Sequence, residues 1–230
     1  MRNGKVPSNC IRRLSVYYSA VNGLIESGEK STSSAQLSTM VNVSPSLIRQ
    51  DLNYFGAFGQ HGCGYDLIKL RNVLSKILNI HNKKRMVLVG SGLLGLAMTE
   101  LTESIDCGFF VTDAFGIGAR PKGVKRTIAY HDITQLERIV ERDGITTAAL
   151  CVDDNLVESM IKQLVNDGVK HICNLSNKYF PNTIPGILID NLNLFSSISE
   201  FSYHITCKDE INRIGWQVTT MQRQTTAIRL

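Results

Sequence analysis

Hydrophobic residues recur at helical spacing in the first third of the chain. Residues 9–27 carry them at positions that one helix face would present: Ile11, Leu14, Tyr18, Val21 and Ile25. A glycine, Gly28, then supplies a stop. Residues 33–41 predict a second, shorter helix with an inward face made of Ala35, Leu37 and Met40. The pattern therefore predicts a helical N-terminal region.

A third helix follows after a tight connection. Ser44 is a typical N-cap residue, Pro45 fits the first helical position, and the pattern ends at Gly56. Two short helices joined by a short turn have the helix-turn-helix layout, which is also common in ordinary helical bundles. The charge pattern is needed to choose between these two interpretations.

Residues 56–65 contain four glycines, which is too many for a helix. Placed between two structured segments, they predict a hairpin, the wing of a winged helix. Helical periodicity returns over residues 66–78 through Leu67, Leu70, Leu74 and Leu78. Residues 79–84 have the composition of a linker.

Beyond the linker the pattern changes to short buried strands alternating with helices. Strands are predicted at residues 85–89, 109–112, 147–152, 171–174 and 187–190, and further helices at 132–143 and 154–167. This alternation is typical of an α/β domain with a parallel sheet and right-handed crossovers.

Charge is distributed unevenly along the chain. Residues 1–84 carry 11 Lys and Arg against four Asp and Glu, whereas residues 85–206 carry 10 against 14. A basic first third on an acidic remainder suggests two domains and a polyanionic partner for the first, although a solvated basic face is the alternative.

Composition narrows the class of protein further. At 43% hydrophobic and 20% charged residues, the chain is expected to fold, and its apolar runs are too short for a membrane span. The N-terminus lacks an apolar secretory core, so we expect a cytoplasmic protein. Six widely spaced cysteines without a C-x-x-C pair predict a reducing environment and no metal site.

Gly90, Gly92 and Gly95 form a G-x-G-x-x-G motif between a predicted strand and a predicted helix. In this context the motif favours dinucleotide binding, with the pyrophosphate at the helix N-terminus; the alternative is a glycine turn kept for packing. Asp113 is the carboxylate available for the adenosine ribose. The basic residues of 120–126 either accommodate an added phosphate or are solvated loop charges.

No catalytic arrangement accompanies the glycine motif. His131, His171 and His204 stand in no recognisable catalytic frame, and the sequence has no Ser/His/Asp order and no P-loop lysine. A DNA reader joined to a nucleotide fold suggests a sensor, and we expect no enzyme activity, no catalytic residue and no metal.

Together these motifs resemble the Rex family of redox-sensing transcriptional repressors over roughly residues 5–206. The stretches that carry the resemblance are VPSNCIRRLSVYY, VSPSLIRQDLNYFGAFGQHGCGY, VLVGSGLLG and NLNLFSSISEFSYHI. The resemblance implies an N-terminal winged helix-turn-helix domain, a Rossmann-like doubly wound parallel sheet and a swapped C-terminal helix. It also implies a homodimer on a two-fold-symmetric double-stranded DNA operator, released by NADH in competition with NAD⁺.

Site residues follow from the resemblance position by position. It implies DNA contacts from the first helix, the recognition helix and the wing: Arg13, Tyr17, Ser44, Ser46, Arg49, Gln50, Tyr54, Gly59, Gln60, Gly62 and Gly64. The glycine motif and its spacing, rather than the resemblance, indicate the NAD(H) contacts, which are Gly90, Ser91, Gly92, Leu93, Leu94, Gly95 and Asp113. An arginine in the major groove can pair bidentately with guanine, whereas first-helix and wing residues more plausibly hold phosphates.

Four departures from the family pattern leave an alternative open. Gln50 stands where family members usually carry a cation, and Leu93 stands where their glycine motif usually contains Asn. Gly116 stands where their second strand ends in Asp, and Asp153 and Asp154 follow Val152 where they usually have an apolar turn. The alternative is a divergent Rex-like repressor whose NADH response is weakened or lost, with another adenine nucleotide or no ligand. A remote alternative, an NAD-dependent oxidoreductase, leaves the basic helix-turn-helix unexplained.

The expected organisation is a DNA-binding domain over 1–80, a nucleotide-binding domain over 85–190, a swapped helix over 191–206 and a C-terminal extension over 207–230. Residues 191–205 are unusually apolar, so they are expected to need a partner surface.

Overall fold

The structure, a computed structural model, describes residues 6–56, 64–90, 92–116 and 127–207, apart from the side chain of Leu93. The chain divides into two compact units. The first unit comprises Met1–Lys84 with Ser104–Phe109, and the second comprises Arg85–Glu103 with Phe110–Leu230.

The first unit is mainly helical. Its helices are α1 (Ser8–Glu26), α2 (Ser34–Val41), α3 (Pro45–Asn53) and α4 (Leu67–Ile77), and its strands are β1 (Ser31–Thr32) and β2 (Tyr65–Asp66). Side chains cap three of the helices: Ser33 accepts from the backbone of Gln36, Ser44 from Leu47 and Asp66 from Lys69. The strands β1 and β2 pair antiparallel, which closes the base of the predicted wing.

The buried face of α1 differs from the predicted one. Its buried residues are Cys10, Leu14, Tyr17, Val21 and Leu24. Ile11 is exposed and Tyr18 and Ile25 are half-buried, because the helix is rotated by about one position from the predicted face. In α2 only Leu37 is buried.

The second unit is an open parallel sheet with helical crossovers. Its strands are β3 (Lys84–Val89), β4 (Phe109–Gly116), β5 (Ala129–Asp132), β6 (Thr147–Leu150), β7 (His171–Asn174) and β8 (Leu188–Asn191). They lie in the order β5-β4-β3-β6-β7-β8, which is the doubly wound nucleotide-binding order, and each pair with a defined register is parallel.

Helices connect these strands. They are α5 (Leu93–Ser104), α6 (Leu136–Asp143), which follows a 3₁₀ turn over Ile133–Gln135, and α7 (Val157–Asn166); we designate a last helix over residues 194–207 as α8. The α/β fold class with an N-terminal helical domain is therefore confirmed. The swapping of the last helix stays a prediction. None of the described helices has the length and apolar character of a membrane span.

Candidate functional site

The outer face of α3 lines a surface groove. The groove has a volume of about 390 Å³, and its lining residues are Ser46, Arg49, Gln50, Asn53 and Tyr54. Four of them were expected to contact DNA from the sequence, whereas Asn53 was missed. Its position three residues after Gln50, on the same face of the helix, is the signal that could have found it.

Hydrogen bonds hold the start of α3 and its arginine in place. The Ser44 hydroxyl caps the helix and lies 3.2 Å from the Ser46 hydroxyl. The Nη1 atom of Arg49 donates to the Ser34 hydroxyl of α2 at 2.8 Å. The guanidinium is therefore oriented across the helix-turn-helix while its side chain stays exposed.

The inner face of α3 carries a buried carboxylate. Asp51 is 1% exposed and accepts two hydrogen bonds of 2.7 Å from the Arg13 guanidinium and one of 2.8 Å from the Tyr17 hydroxyl. Burial by itself would raise the pKa of Asp51, but the bonds from Arg13 and Tyr17 outweigh burial and hold that pKa below its usual value.

This triad corrects the role expected of Tyr17 and adds a structural role for Arg13. Tyr17 is fully buried, so its side chain cannot reach a DNA phosphate, and burial raises the pKa of its hydroxyl. The Nε and Nη2 atoms of Arg13 both donate to the Asp51 carboxylate. Both residues therefore hold α3 against α1, and a DNA contact from the partly exposed Arg13 stays a prediction.

Gly64 has a structural requirement at the base of the wing. Its φ is +75°, and a Cβ there would lie 2.4 Å from the carbonyl oxygen of Thr32. Only glycine permits this close approach of the two strands. The other expected wing residues, Gly59, Gln60 and Gly62, lie outside the described residues.

The glycine turn after β3 is built for close packing. Gly90 has a φ of +97°, its N–H donates to the Phe115 carbonyl at 2.8 Å, and a Cβ on it would lie 1.8 Å from the Cys151 carbonyl oxygen. A Cβ on Gly95 would lie 3.2 Å from Leu88, so the third glycine lets α5 approach β3.

The middle glycine differs from the other two. Gly92 has no left-handed φ, and a Cβ there would make only an ordinary contact of 3.7 Å with the Cys151 sulfur. Packing therefore does not require glycine at position 92, and a ligand contact there stays a prediction. Leu94 is half-buried in the first turn of α5, whereas Ser91 and the side chain of Leu93 lie outside the described part of the chain.

The structure corrects the ribose role expected of Asp113. This residue is buried in the middle of β4, three residues before the strand ends. Its carboxylate accepts from Arg85 at 2.6 Å and from Thr112 at 2.5 Å, and lies 2.8 Å from the His131 Nε2 atom. Burial opposes ionisation, but these partners hold the pKa of Asp113 below its usual value. The carboxylate therefore serves an internal charge cluster.

The carboxyl end of β4 carries Gly116, which offers no acceptor side chain. Its register partner on β5 is Asp132, so the two positions share one face of the sheet. Sequence reasoning missed Asp132 because β5 itself was not predicted. Two hydrogen bonds from Thr134 end on its Oδ1 atom, and they lower the pKa of its carboxyl.

The two carboxylates after β6 differ in their contacts. The Asp154 Oδ1 atom accepts from the backbone of Lys178 at 3.0 Å, which ties it to the loop after β7. Asp153 is exposed. Among the described residues, no group of three or more His, Cys, Asp or Glu side chains is arranged to hold a metal ion.

Two family models match the chain. Residues 5–53 match "Putative DNA-binding protein N-terminus" and residues 81–178 match "CoA binding domain". The first match ends with α3, and the second covers the sheet from β3 through β7.

Relatives and solved structures extend the similarity over most of the chain. The chain is 34% identical over 203 residues to the redox-sensing transcriptional repressor Rex of Thermoanaerobacter pseudethanolicus, covering 87% of this chain and 90% of that protein. Rex of Clostridioides difficile is 32% identical, covering 87% and 96%. A crystal structure of RSP with β-NAD⁺ and operator DNA has a TM-score of 0.79 at 30% identity and covers 92% of this chain and 98% of that one. RSP with β-NADH has a TM-score of 0.78 at 29% identity, covering 92% and 100%.

Proposed function

Because the chain belongs to the Rex family of redox-sensing transcriptional repressors, we propose that it represses transcription by binding an operator through α3 and responds to NADH and NAD⁺. The observation that carries the proposal is the difference between the two faces of α3. Its inner face is hydrogen-bonded to α1 through Asp51, whereas its outer face presents Arg49, Gln50 and Asn53 around one groove.

Sequence reading and affinity come from different parts of the first unit. Base edges are read in the major groove by side chains on the outer face of α3. The excess of Lys and Arg in residues 1–84 neutralises phosphates and makes binding dependent on salt. The wing contributes phosphate contacts through Gly59, Gln60 and Gly62, and Gly64 shapes its base.

The nucleotide half of the proposal rests on the glycine turn. Gly90 and Gly95 fit this turn to the sheet, and Gly92, together with Ser91, Leu93 and Leu94, brings backbone N–H groups to a pyrophosphate at the start of α5. The RSP structure with β-NADH supports a dinucleotide as the ligand class.

A second candidate is a repressor of the same family whose NADH response is weakened, with another adenine nucleotide or no ligand in its place. It is favoured by the loss of the ribose acceptor, because Gly116 has no side chain and Asp113 is committed to Arg85 and His131. An enzyme is disfavoured, because the relatives that are about a third identical over most of the chain are transcriptional repressors. A repressor acts where its operator DNA lies, which supports a cytoplasmic location.

The proposed assembly is a homodimer joined through α8. Leu194, Ile198, Phe201 and Ile205 recur at i, i+4, i+7 and i+11 and are each about half exposed or more within one chain. Such an apolar stripe needs a covering surface, and a two-fold dimer matches a two-fold-symmetric operator.

Titration of the full chain with NADH, NAD⁺, ATP and ADP, followed by operator binding with each present, tests the proposal. NADH is expected to bind and to weaken operator binding more than NAD⁺ does. The matched variant Gly92→Ala should keep the unfolding free energy and lose nucleotide affinity. If the protein binds the operator tightly and no nucleotide changes that affinity, the second candidate function is supported. If the protein shows no sequence-specific DNA binding, both candidate functions are contradicted.

A further inference from the structure

The groove on α3 presents two carboxamides next to its single guanidinium. Ser46, Gln50 and Asn53 lie at i, i+4 and i+7 of α3, and all three side chains are exposed. Residues at these spacings project from one face of a helix. The opposite face is occupied by Ile48, Asp51 and Leu52, which are buried. The carboxamides of Gln50 and Asn53 are therefore accessible to a ligand in the groove.

A carboxamide matches the edge of adenine. It holds a donor N–H₂ and an acceptor oxygen side by side, and adenine offers the complement in the major groove, an N7 acceptor and an N6 donor. Guanine shows two acceptors there and is matched by a guanidinium or an ammonium. Amides at two positions of a reading face therefore favour A·T pairs.

The spacing of the two amides fits neighbouring base pairs. Three helical residues advance about 4.5 Å along the axis. Successive bases of one strand are about 3.4 Å apart. Arg49 is held towards α2 because its Nη1 atom donates to Ser34. One of its donors is thereby engaged within the protein, and the two amides share the groove with the rest of the guanidinium.

From this arrangement we propose that Gln50 and Asn53 each read an adenine, at adjacent A·T pairs of the operator half-site. This inference rests on the proposed DNA-binding function and adds the base class that these two residues select. It also assigns a role to Asn53. If the two side chains instead contacted phosphates, their removal would weaken binding to all duplexes alike.

Selection of bound duplexes from a randomised double-stranded library by the full chain is the first test. The wild type is expected to select a motif with two neighbouring A·T pairs in each half-site. Gln50→Ala and Asn53→Ala should each lose the preference at one of these pairs while they retain the rest of the motif. Asn72→Ala, which changes an exposed amide on α4, is the matched control and should select the unaltered motif.

A titration with altered bases then tests the contact atom by atom. Replacing either A·T pair by G·C should weaken wild-type binding by roughly 5- to 150-fold. Replacing the adenine by 7-deazaadenine, which lacks the N7 acceptor, should weaken the wild type but not the variant that lacks the matching amide. Gln50→Lys should move the preference at its pair from adenine towards guanine, because lysine donates to guanine O6 and N7.

The outcomes separate this inference from the proposed function. A selected motif whose base preferences are unchanged in Gln50→Ala and Asn53→Ala overturns the inference and leaves the function intact. Equal weakening of all duplexes by these variants also overturns it, in favour of phosphate contact. Selection of no motif by the wild type overturns both.

Discussion

At the scale of single residues, the buried Asp51 decides how α3 is presented. Two elements distant in sequence are joined at one carboxylate, since Arg13 and Tyr17 come from α1 and Asp51 comes from α3. A buried charge of this kind is tolerated only with its partners in place. The orientation of the DNA-reading face therefore depends on residues that lie behind it.

Arg13→Ala is expected to lower the free energy of unfolding by roughly 2–4 kcal/mol, because Asp51 keeps its charge and loses two hydrogen bonds. Chemical denaturation of the full chain measures this loss. Arg12→Ala is the matched control, since Arg12 is the exposed neighbour of Arg13, and it should change stability by about 0.5 kcal/mol or less. Equal stability of the two variants would show that the triad contributes nothing.

The lowered pKa of Asp51 predicts a dependence of stability on pH. A carboxyl whose pKa is lower in the folded than in the unfolded state stabilises the fold above its unfolded value, about 3.9. That contribution is lost as the pH falls through the folded pKa. Between about pH 5 and about pH 2, the wild type should therefore lose more unfolding free energy than Asp51→Asn, which cannot bind the proton. Parallel pH profiles of the two proteins would contradict this.

At the scale of elements, the proposed position of the adenosine ribose lies at the carboxyl ends of β4 and β5. Gly116 ends β4 without an acceptor, and its register partner Asp132 ends β5 with a carboxylate. A new carboxylate at position 116 would therefore stand directly beside an existing one. Like charges in directly opposite positions of neighbouring strands destabilise each other.

Gly116→Asp alone is accordingly expected to tighten NADH binding only weakly, whereas Gly116→Asp with Asp132→Asn should tighten it by roughly ten- to a hundredfold. The gain comes from a charged acceptor for the ribose hydroxyls. Calorimetric titration of both variants measures it, with Asp132→Asn alone as the control. Loss of NADH binding in an Asp113→Ala variant that stays folded would instead return the ribose role to Asp113.

The hydrophobic pattern predicts most helices and strands of this chain but misses β5. The strand β7 was predicted at its observed bounds, and α4 within one residue, because Leu67, Leu70 and Leu74 mark one clear face. The strand β5 was missed since its four residues, Ala129–Asp132, alternate weakly and carry no apolar run.

The elements of the candidate site were predicted, whereas the partners of several of its side chains were not. The glycine turn and α3 were predicted because local geometry demands their residue types. Tyr17 and Asp113 were misassigned, and the partner of Arg13 was not foreseen, since a sequence does not show which charged or polar side chain finds a buried partner. Asp51 and Arg85, the partners in question, lie 38 and 28 positions away from Arg13 and Asp113.

At the scale of the whole molecule, charge and symmetry act together. Residues 1–84 are basic and residues 85–206 are acidic, so the field of the protein favours approach of DNA to the first unit only. A two-fold dimer carries two such basic units. Its two copies of α3 are expected to contact half-sites that lie about one turn of the DNA helix, or a multiple of it, apart. Operator affinity should therefore depend on dimerisation as well as on the reading face.

The apolar stripe of α8 gives the last prediction. Phe201→Glu is expected to dissociate the proposed dimer. In a two-fold dimer one substitution changes both copies, so it removes two buried aromatic side chains and introduces two unpaired charges at the interface. Burial of one such side chain contributes about 1.5–3 kcal/mol, so dimerisation should weaken by roughly a hundredfold or more. Analytical ultracentrifugation over a range of concentrations measures the change, and operator affinity should fall with it. Ser199→Glu adds the same charge on the other side of α8 and should leave the dimer intact. A Phe201→Glu protein that remains dimeric at the same concentrations would show that the stripe is covered in some other way.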